Sequence, residues 1–458
     1  MHYATAAAIA AALLFFVWIG LRARLPGTHL DEYLTARNSQ GASALGLSFL
    51  ASGLGAWILF APPEVGAFVG PIAVAGYAVG AALPFLVLAW CGPAIRRRMP
   101  EGRSIGEYAQ LRFGTGLRHW VTAISVLYML CFLTAELTAI GAITGMLSGL
   151  PGSWVVVGVA VATLVYTAWG GLRASLVTDR WQAWLLLALL LVVTVVTLNE
   201  LPADSLASAL PKLPSAPLGV SLSVAATLVI AVTAANLFHQ GYWQRVWSAS
   251  SDAALGRGAL LGGAITVLVV AVVGGLGVLA AGMGKDLGTP PIPFFALLAD
   301  APGWLILPTL MLAVALVASS VDTLQNAIVS LAVTSKQGLS VNAARWITVA
   351  LMVPVVLVAL QGISVLRLFL IADLLCATAV VPVLMGLWNR MTPAAALAGC
   401  LAGLVGAVLP GWVTTGTLAG GLLAASFPGS IPTLAPFAGA LVASTLVSLL
   451  VVLWRPAR

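Results

Sequence analysis

About thirteen stretches of roughly 20 or more mostly apolar residues recur along this 458-residue chain, each long enough to cross the ~30 Å hydrocarbon core of a bilayer as a helix. Their approximate bounds are 3–22, 41–69, 71–95, 118–148, 153–172, 176–198, 219–247, 255–283, 303–334, 343–362, 365–388, 393–412 and 433–454. No other feature restricts the fold so severely, because a backbone in lipid must satisfy its own hydrogen bonds and a helix does so. Charged residues make up 8% of the chain and apolar ones 61%, against about 25% charged in a soluble domain. A soluble globule is therefore excluded, and so is a disordered chain. The first stretch runs into Leu21-Arg22-Ala23-Arg24 instead of a small-residue cleavage site, so it is read as a retained helix and not as a signal peptide. Cys91, Cys131, Cys376 and Cys400 lie in apolar stretches without CxxC spacing and read as packing residues.

Lys and Arg are retained on the cytoplasmic side of membrane proteins. With the N-terminus outside, about 18 of the 21 basic residues fall inside, among them Arg22, Arg24, Arg37, Arg96 to Arg98, Arg103, Arg112, Arg173, Arg180, Arg245, Arg257, Lys336, Arg345, Arg390 and Arg455. Only Lys212, Lys285 and Arg367 fall outside. The net charge of +7 thus reports topology, with an odd helix count and a cytoplasmic C-terminus, and calls for no nucleic-acid partner. The expected localisation is the plasma (inner) membrane. Polar connections reach only about 20 residues, so a single transmembrane domain is expected over 1–458. Its parts would be an N-terminal helix and loop over 1–40, a core over 41–390 and two C-terminal helices over 391–458.

Two stretches differ from the rest. The stretch 41–69 is interrupted at Ser52-Gly53-Leu54-Gly55 and Pro62-Pro63, and 219–247 between Asn236 and Gln244 with Gly241. Such breaks, five helices apart, point to a transporter built from inverted repeats, whose unwound segments expose backbone groups near the midplane. Ionisable side chains inside the bilayer are costly and mark function by default. The chain has Glu64, Glu136, Asp322 and Asp373 there, with Asp179 at the start of the sixth stretch.

Ser319, Ser320, Asp322 and Thr323 form the most informative group, since spacings of three and four put Ser319, Asp322 and Thr323 on one helical face. Hydroxyl and carboxylate oxygens suit a hard cation such as Na⁺, and carbonyls of the broken second helix can complete the shell. The alternative is that the hydroxyls bond back to the preceding turn and Asp322 pairs with another buried polar group.

Several segments resemble the sodium:solute symporter family, which includes proline, sugar, sialic acid and urea-type carriers. Asp31-Glu32-Tyr33-Leu34-Thr35-Ala36-Arg37 is similar to the loop before its first core helix, and Ile105-Gly106-Glu107-Tyr108 with Arg112-Phe113-Gly114 to a cytoplasmic segment. Tyr166-Thr167-Ala168-Trp169-Gly170-Gly171-Leu172-Arg173-Ala174 followed by Thr178-Asp179-Arg180-Trp181-Gln182 resembles the family's "GGl.Av..TD..Q" signature most specifically. Gln244-Arg245 is similar to its "QR" element.

The resemblance implies an all-α, LeuT-like membrane protein with a ten-helix core of two inverted five-helix repeats. It implies Na⁺ as coupling ion, no cofactor, and a small polar solute (amino acid, sugar or urea-like) carried into the cytoplasm by alternating access. Ser319 and Ser320 match the hydroxyl pair that holds sodium, with Ala51 and Leu54 as carbonyl donors, and Asp179 matches an acid of a second sodium site or of coupling. Gly53 stands where the proline branch has an acidic residue, so Asp322, with Thr323 beside it, is expected to restore the charge. Family analogy puts the solute between the two breaks and the third core helix, among Ser52, Gly53, Trp57, Glu136, Asn236, Phe238, His239 and Gln240. His239 titrates in the physiological range when unperturbed, which keeps H⁺ coupling open beside Na⁺ coupling. Glu64 reads as a cap or gate. Asp373 has two readings, a partner for a substrate amine or a structural pair with a residue such as Arg367.

Two other classes are weaker. A membrane enzyme would need an HExxH motif or a nucleophile set, and His2, His29, His119 and His239 form none with their neighbours in sequence. A solute sensor of the same fold would call for a signalling partner. A monomer suffices for transport.

Overall fold

The computed structural model describes residues 2–25, 29–201, 203–288, 291–299, 301–334, 339–362, 366–428 and 432–454. Among them regular structure is helical, apart from one isolated bridge between Gln40 and Ala249. In chain order the helices are α1 (His2–Arg22), α2 (Leu30–Thr35), α3 (Ala42–Gly53), α4 (Ala61–Phe68), α5 (Pro71–Arg98), α6 (Ile105–Phe113) and α7 (Thr115–Ser148). They continue as α8 (Gly152–Glu200), α9 (Ala203–Ala209), α10 (Leu218–Leu237), α11 (Gln240–Ser248), α12 (Asp252–Gly282), α13 (Pro293–Leu298) and α14 (Ile306–Thr334). The last five are α15 (Val341–Ala359), α16 (Leu366–Leu384), α17 (Pro393–Thr415), α18 (Leu418–Ala425) and α19 (Leu434–Trp454).

Among the described residues eleven helices are long and apolar enough to cross a membrane, and α3 with residues 56–68 makes a further span bent by 64°. The 49 residues of α8 would reach ~74 Å at about 1.5 Å each, more than twice the hydrocarbon thickness. It is two helices meeting at Gly171, whose φ of 59° and ψ of −150° are not helical. Tyr33 O would lie 2.4 Å from a Cβ there, so the turn needs glycine for both conformation and room. With α8 counted as two, each of the thirteen stretches has its helix. Lys336 and Arg455, used in the orientation argument, lie outside the described residues.

Both expected interruptions are present. After α3, Leu54 (φ −97°, ψ 109°) and Gly55 (φ −110°, ψ −170°) are extended, a 3₁₀ turn follows over Ala56–Leu59, and α4 starts with Pro62 and Pro63 in its first turn, where a missing N–H costs nothing. The second break falls at Phe238 and His239, between α10 and α11. The two broken spans meet at one end of the bundle, where Gln40 N donates to Ser248 O at 2.9 Å and Ser250 N to Gln40 O at 2.8 Å.

That end carries the arginines and is knit shut. The Arg98 guanidinium donates to Gly386 O at 3.1 Å and Leu387 O at 2.7 Å, and Arg112 to Gly386 O and to Met391 O at 3.1 Å. These bonds tie α5 and α6 to the end of α16. A Ser104/Glu107 capping box fixes the start of α6, and Ser104 Oγ also meets Thr334 Oγ1 at 3.0 Å.

Candidate functional site

The first break brings three helices together. Ser320 on α14 points its hydroxyl at Leu54 O, 3.4 Å away. Ala51 is buried one turn earlier at the end of α3, where carbonyls run out of intrahelical partners. Beside Ser320, Ser319 donates to Asp179 Oδ1 at 3.3 Å. Ser319, Ser320, Leu54 and Asp179 therefore converge as the sequence suggested.

Asp179, however, is not a free ligand. The Arg245 guanidinium, fully buried, donates to its Oδ2 at 2.7 Å, to Thr323 Oγ1 at 3.1 Å, and through Nε to Ser48 Oγ at 2.8 Å. Ser48 in turn donates to Asp179 Oδ2 at 2.5 Å. Read from the sequence as half of a short motif, Arg245 is the cation that joins α3, α8, α11 and α14. Asp322 also differs from expectation. Its carboxylate turns to α8 and accepts from Tyr166 Oη at 2.5 Å, Ser175 Oγ at 2.5 Å and Thr178 Oγ1 at 3.2 Å, spanning both sides of the Gly171 turn. At Gly53 itself a Cβ would sit 2.6 Å from the Tyr242 hydroxyl, which fills that space.

The expected substrate residues divide. Glu136 leaves the second break and serves the first, where its Oε2 accepts from Ala56 N at 2.7 Å. The helical segment starting there has unpaired N–H groups and a positive dipole end, which a carboxylate satisfies. A Cβ on Gly55 would be 2.3 Å from Glu136 Oε1, so only glycine lets the acid approach. Gln240 is a latch at the basic end: it accepts from Ile105 N at 3.0 Å and donates to Arg103 O at 2.8 Å. Phe238 packs beside Ile105, Val380 and Leu384 around a small apolar gap at the same end. Ser52 bonds back to Ser48 O at 2.6 Å, as the bland reading of buried hydroxyls anticipates. A wider cavity lined by Met146, Phe295 and Thr309 touches neither break.

Trp57, Asn236 and His239 stay near the middle. The Trp57 indole donates to Gly53 O at 3.2 Å and stacks on Tyr77 at 5.4 Å. Asn236 donates to Val232 O and accepts from Tyr128 Oη at 3.5 Å. His239 Nδ1 accepts from Gly241 N at 3.1 Å, capping α11, while its ring stacks on Tyr242 at 4.7 Å. Tyr128 and Phe132 present edges to that ring at 6.3 and 6.1 Å, and both also meet Phe369 of α16, at 5.7 and 5.8 Å.

The sodium:solute symporter family model matches residues 33–403. The chain belongs to this family. It is 29% identical over 365 residues to a fungal protein, the spermidine transporter DUR31 of Candida albicans, covering 78% of this chain and 69% of that one. Among solved structures, a substrate-bound, outward-open Na⁺-coupled sialic acid symporter superposes with a TM-score of 0.78 at 14% identity, over 97% of this chain and 98% of its own. MHP1, a nucleobase-cation-symport-1 family transporter in a closed conformation, gives 0.59 at 14% identity, over 94% and 96%. At these identities the likeness concerns the fold, which is LeuT-like. The chain is thus a multi-pass secondary active symporter and not an enzyme.

For this symporter the sequence left Asp373 undecided, and the structure removes Arg367 as its partner. Arg367 donates to Ser426 O and Ser426 Oγ, both at 2.7 Å, and forms no pair with Asp373. The tyrosines and Phe369 around the centre were not singled out at all. Single aromatic residues in apolar helices carry no signal until packing places them together.

Proposed function

We propose that this symporter draws a small solute into the cytoplasm by letting Na⁺ bind at the first helix break. The observation that carries the reading is the Ser320 hydroxyl facing Leu54 O across the interruption. A sodium ion there would take the hydroxyls of Ser319 and Ser320 and the carbonyls of Ala51 and Leu54, all neutral oxygens of the hard kind it prefers. Bound, it would hold α14 against the end of α3. Its departure would leave Ser320 and Leu54 joined only by a long hydrogen bond and free the first break to move, while Arg245 and Asp179 keep the start of α3 tied to α14.

Asp179, Asp322 and Thr323 belong, on this reading, to the frame of the site, because Arg245 and the α8 hydroxyls already occupy their oxygens. The core is taken as 41–390 and the basic end as the cytoplasmic one, which puts the N-terminus outside and the C-terminus inside the plasma membrane. The bonds closing the basic end then favour an inward gate that is shut. The fungal relative's printed name supplies spermidine as the first solute to try.

The test is uptake of labelled spermidine into proteoliposomes with and without a Na⁺ gradient. We expect Na⁺-driven uptake in the parent and a raised Na⁺ half-saturation in Ser320→Ala. A Na⁺-induced rise in melting temperature without solute provides the same check for any substrate, since a ligand bound only by the folded state stabilises it. No Na⁺ response in either assay would refute the assignment.

A further inference from the structure

We propose that Asp373 anchors a binding site for an organic ammonium group, walled by Tyr128, Phe132 and Phe369. The proposal rests on the symport reading in taking the solute to lie beside the second helix break, and it adds the chemical class of that solute.

Asp373 sits in the second turn of α16, inside a span, and is only 4% exposed. Its Oδ1 is enclosed without a hydrogen-bond partner, and the carboxylate forms no ion pair among the described residues. Every other buried carboxylate discussed above has a partner: Asp179 has Arg245, Asp322 three hydroxyls, and Glu136 the Ala56 N–H. A bare carboxylate in the bilayer is costly and is kept where something transient completes it.

The surroundings state what that something is. Phe369 lies one turn before Asp373 on the same helical face, and it brings Tyr128 and Phe132 with it. Ring faces attract cations, above all alkylammonium groups, and no lysine or arginine is paired into this cluster among the described residues. An anionic solute would repel an ionised carboxyl here and a neutral one would give it no counter-charge, whereas an ammonium supplies the charge that lets a buried carboxyl stay ionised. Beyond the rings His239 Nε2 is also buried without a partner, a second polar contact for the rest of the solute.

The experiment measures binding to the purified full-length protein in saturating Na⁺. The probes are spermidine, 1,4-diaminobutane and butylamine against neutral urea and anionic sialic acid. We expect the amines to bind and the other two not to compete. Asp373→Asn should lose about tenfold or more of the affinity for all three amines, the scale of removing one partner of a buried charge pair, and Asp373→Glu should retain part of it. The Na⁺-induced rise in melting temperature should survive in Asp373→Asn, which shows that the variant folds and separates this proposal from the sodium assignment. Amine binding unchanged in Asp373→Asn, or no amine binding by the parent, overturns the proposal.

Discussion

Asp179 and Asp373 are both buried aspartates in membrane-spanning helices, yet their surroundings are opposite. Asp179 has a guanidinium at 2.7 Å and two hydroxyls on its oxygens, whereas Asp373 has aromatic rings nearby and an Oδ1 with no partner. The first arrangement ties four helices together. The second has no counter-charge among the described residues. Burial is common to both; the neighbouring charge is what separates them.

The comparison breaks most visibly at Arg245. Arg245→Met leaves the Asp179 carboxylate buried and uncompensated, a change that costs about 3–5 kcal/mol when one partner of a buried pair is removed. We expect a large fall in melting temperature, and partial recovery when Asp179→Asn is added. A single variant as stable as the parent would mean that the pair does not hold the frame. Glu136→Ala should come next: the Ala56 N–H at the first break loses its acceptor, at about 1–3 kcal/mol in stability, with uptake falling alongside. Loss of solute affinity at unchanged melting temperature would instead return Glu136 to the solute.

Ser320→Ala removes one oxygen worth about 1 kcal/mol, so the Na⁺ half-saturation should rise several-fold with little change in saturated uptake rate. Gln240→Ala opens bonds to Ile105 N and Arg103 O at the basic end. Its expected effect is about 1 kcal/mol toward the form open at that end, read as faster labelling of a cysteine introduced at Ser330. The smallest stability effect should belong to Asp373→Asn. With no partner to lose, its melting temperature should stay at the parent's value or rise, and a fall comparable to that of Arg245→Met would erase the contrast between the two aspartates.

Much of this was legible in the chain. The thirteen apolar stretches, the two interruptions and the Ser319-Ser320 pair are local features, fixed by the length of a membrane span and by where glycine, proline and polar residues interrupt it. Glu136 shows where the sequence stopped informing: its charge and depth were readable, but nothing along α7 tells that its carboxylate reaches Ala56 N, 80 residues away, and not His239. Gln240 was read as part of the solute site because it follows the second break, yet rotation by one side chain aims it at Ile105 and Arg103 instead.

What the sequence by itself determined is the class of molecule: an apolar helix in lipid satisfies its own backbone, so span number, breaks and family follow from local pattern. What only the tertiary structure decided is which buried charges are matched. Asp179, Asp322 and Asp373 are alike as letters in apolar helices, and their difference lies in neighbours contributed by other spans. Arg245 comes to Asp179 from 66 residues away and Tyr166 to Asp322 from 156, while no side chain among the described residues completes Asp373. Electrostatic compensation acts over a few ångströms in space and has no period along the chain, so folding alone reveals which carboxylate was left open.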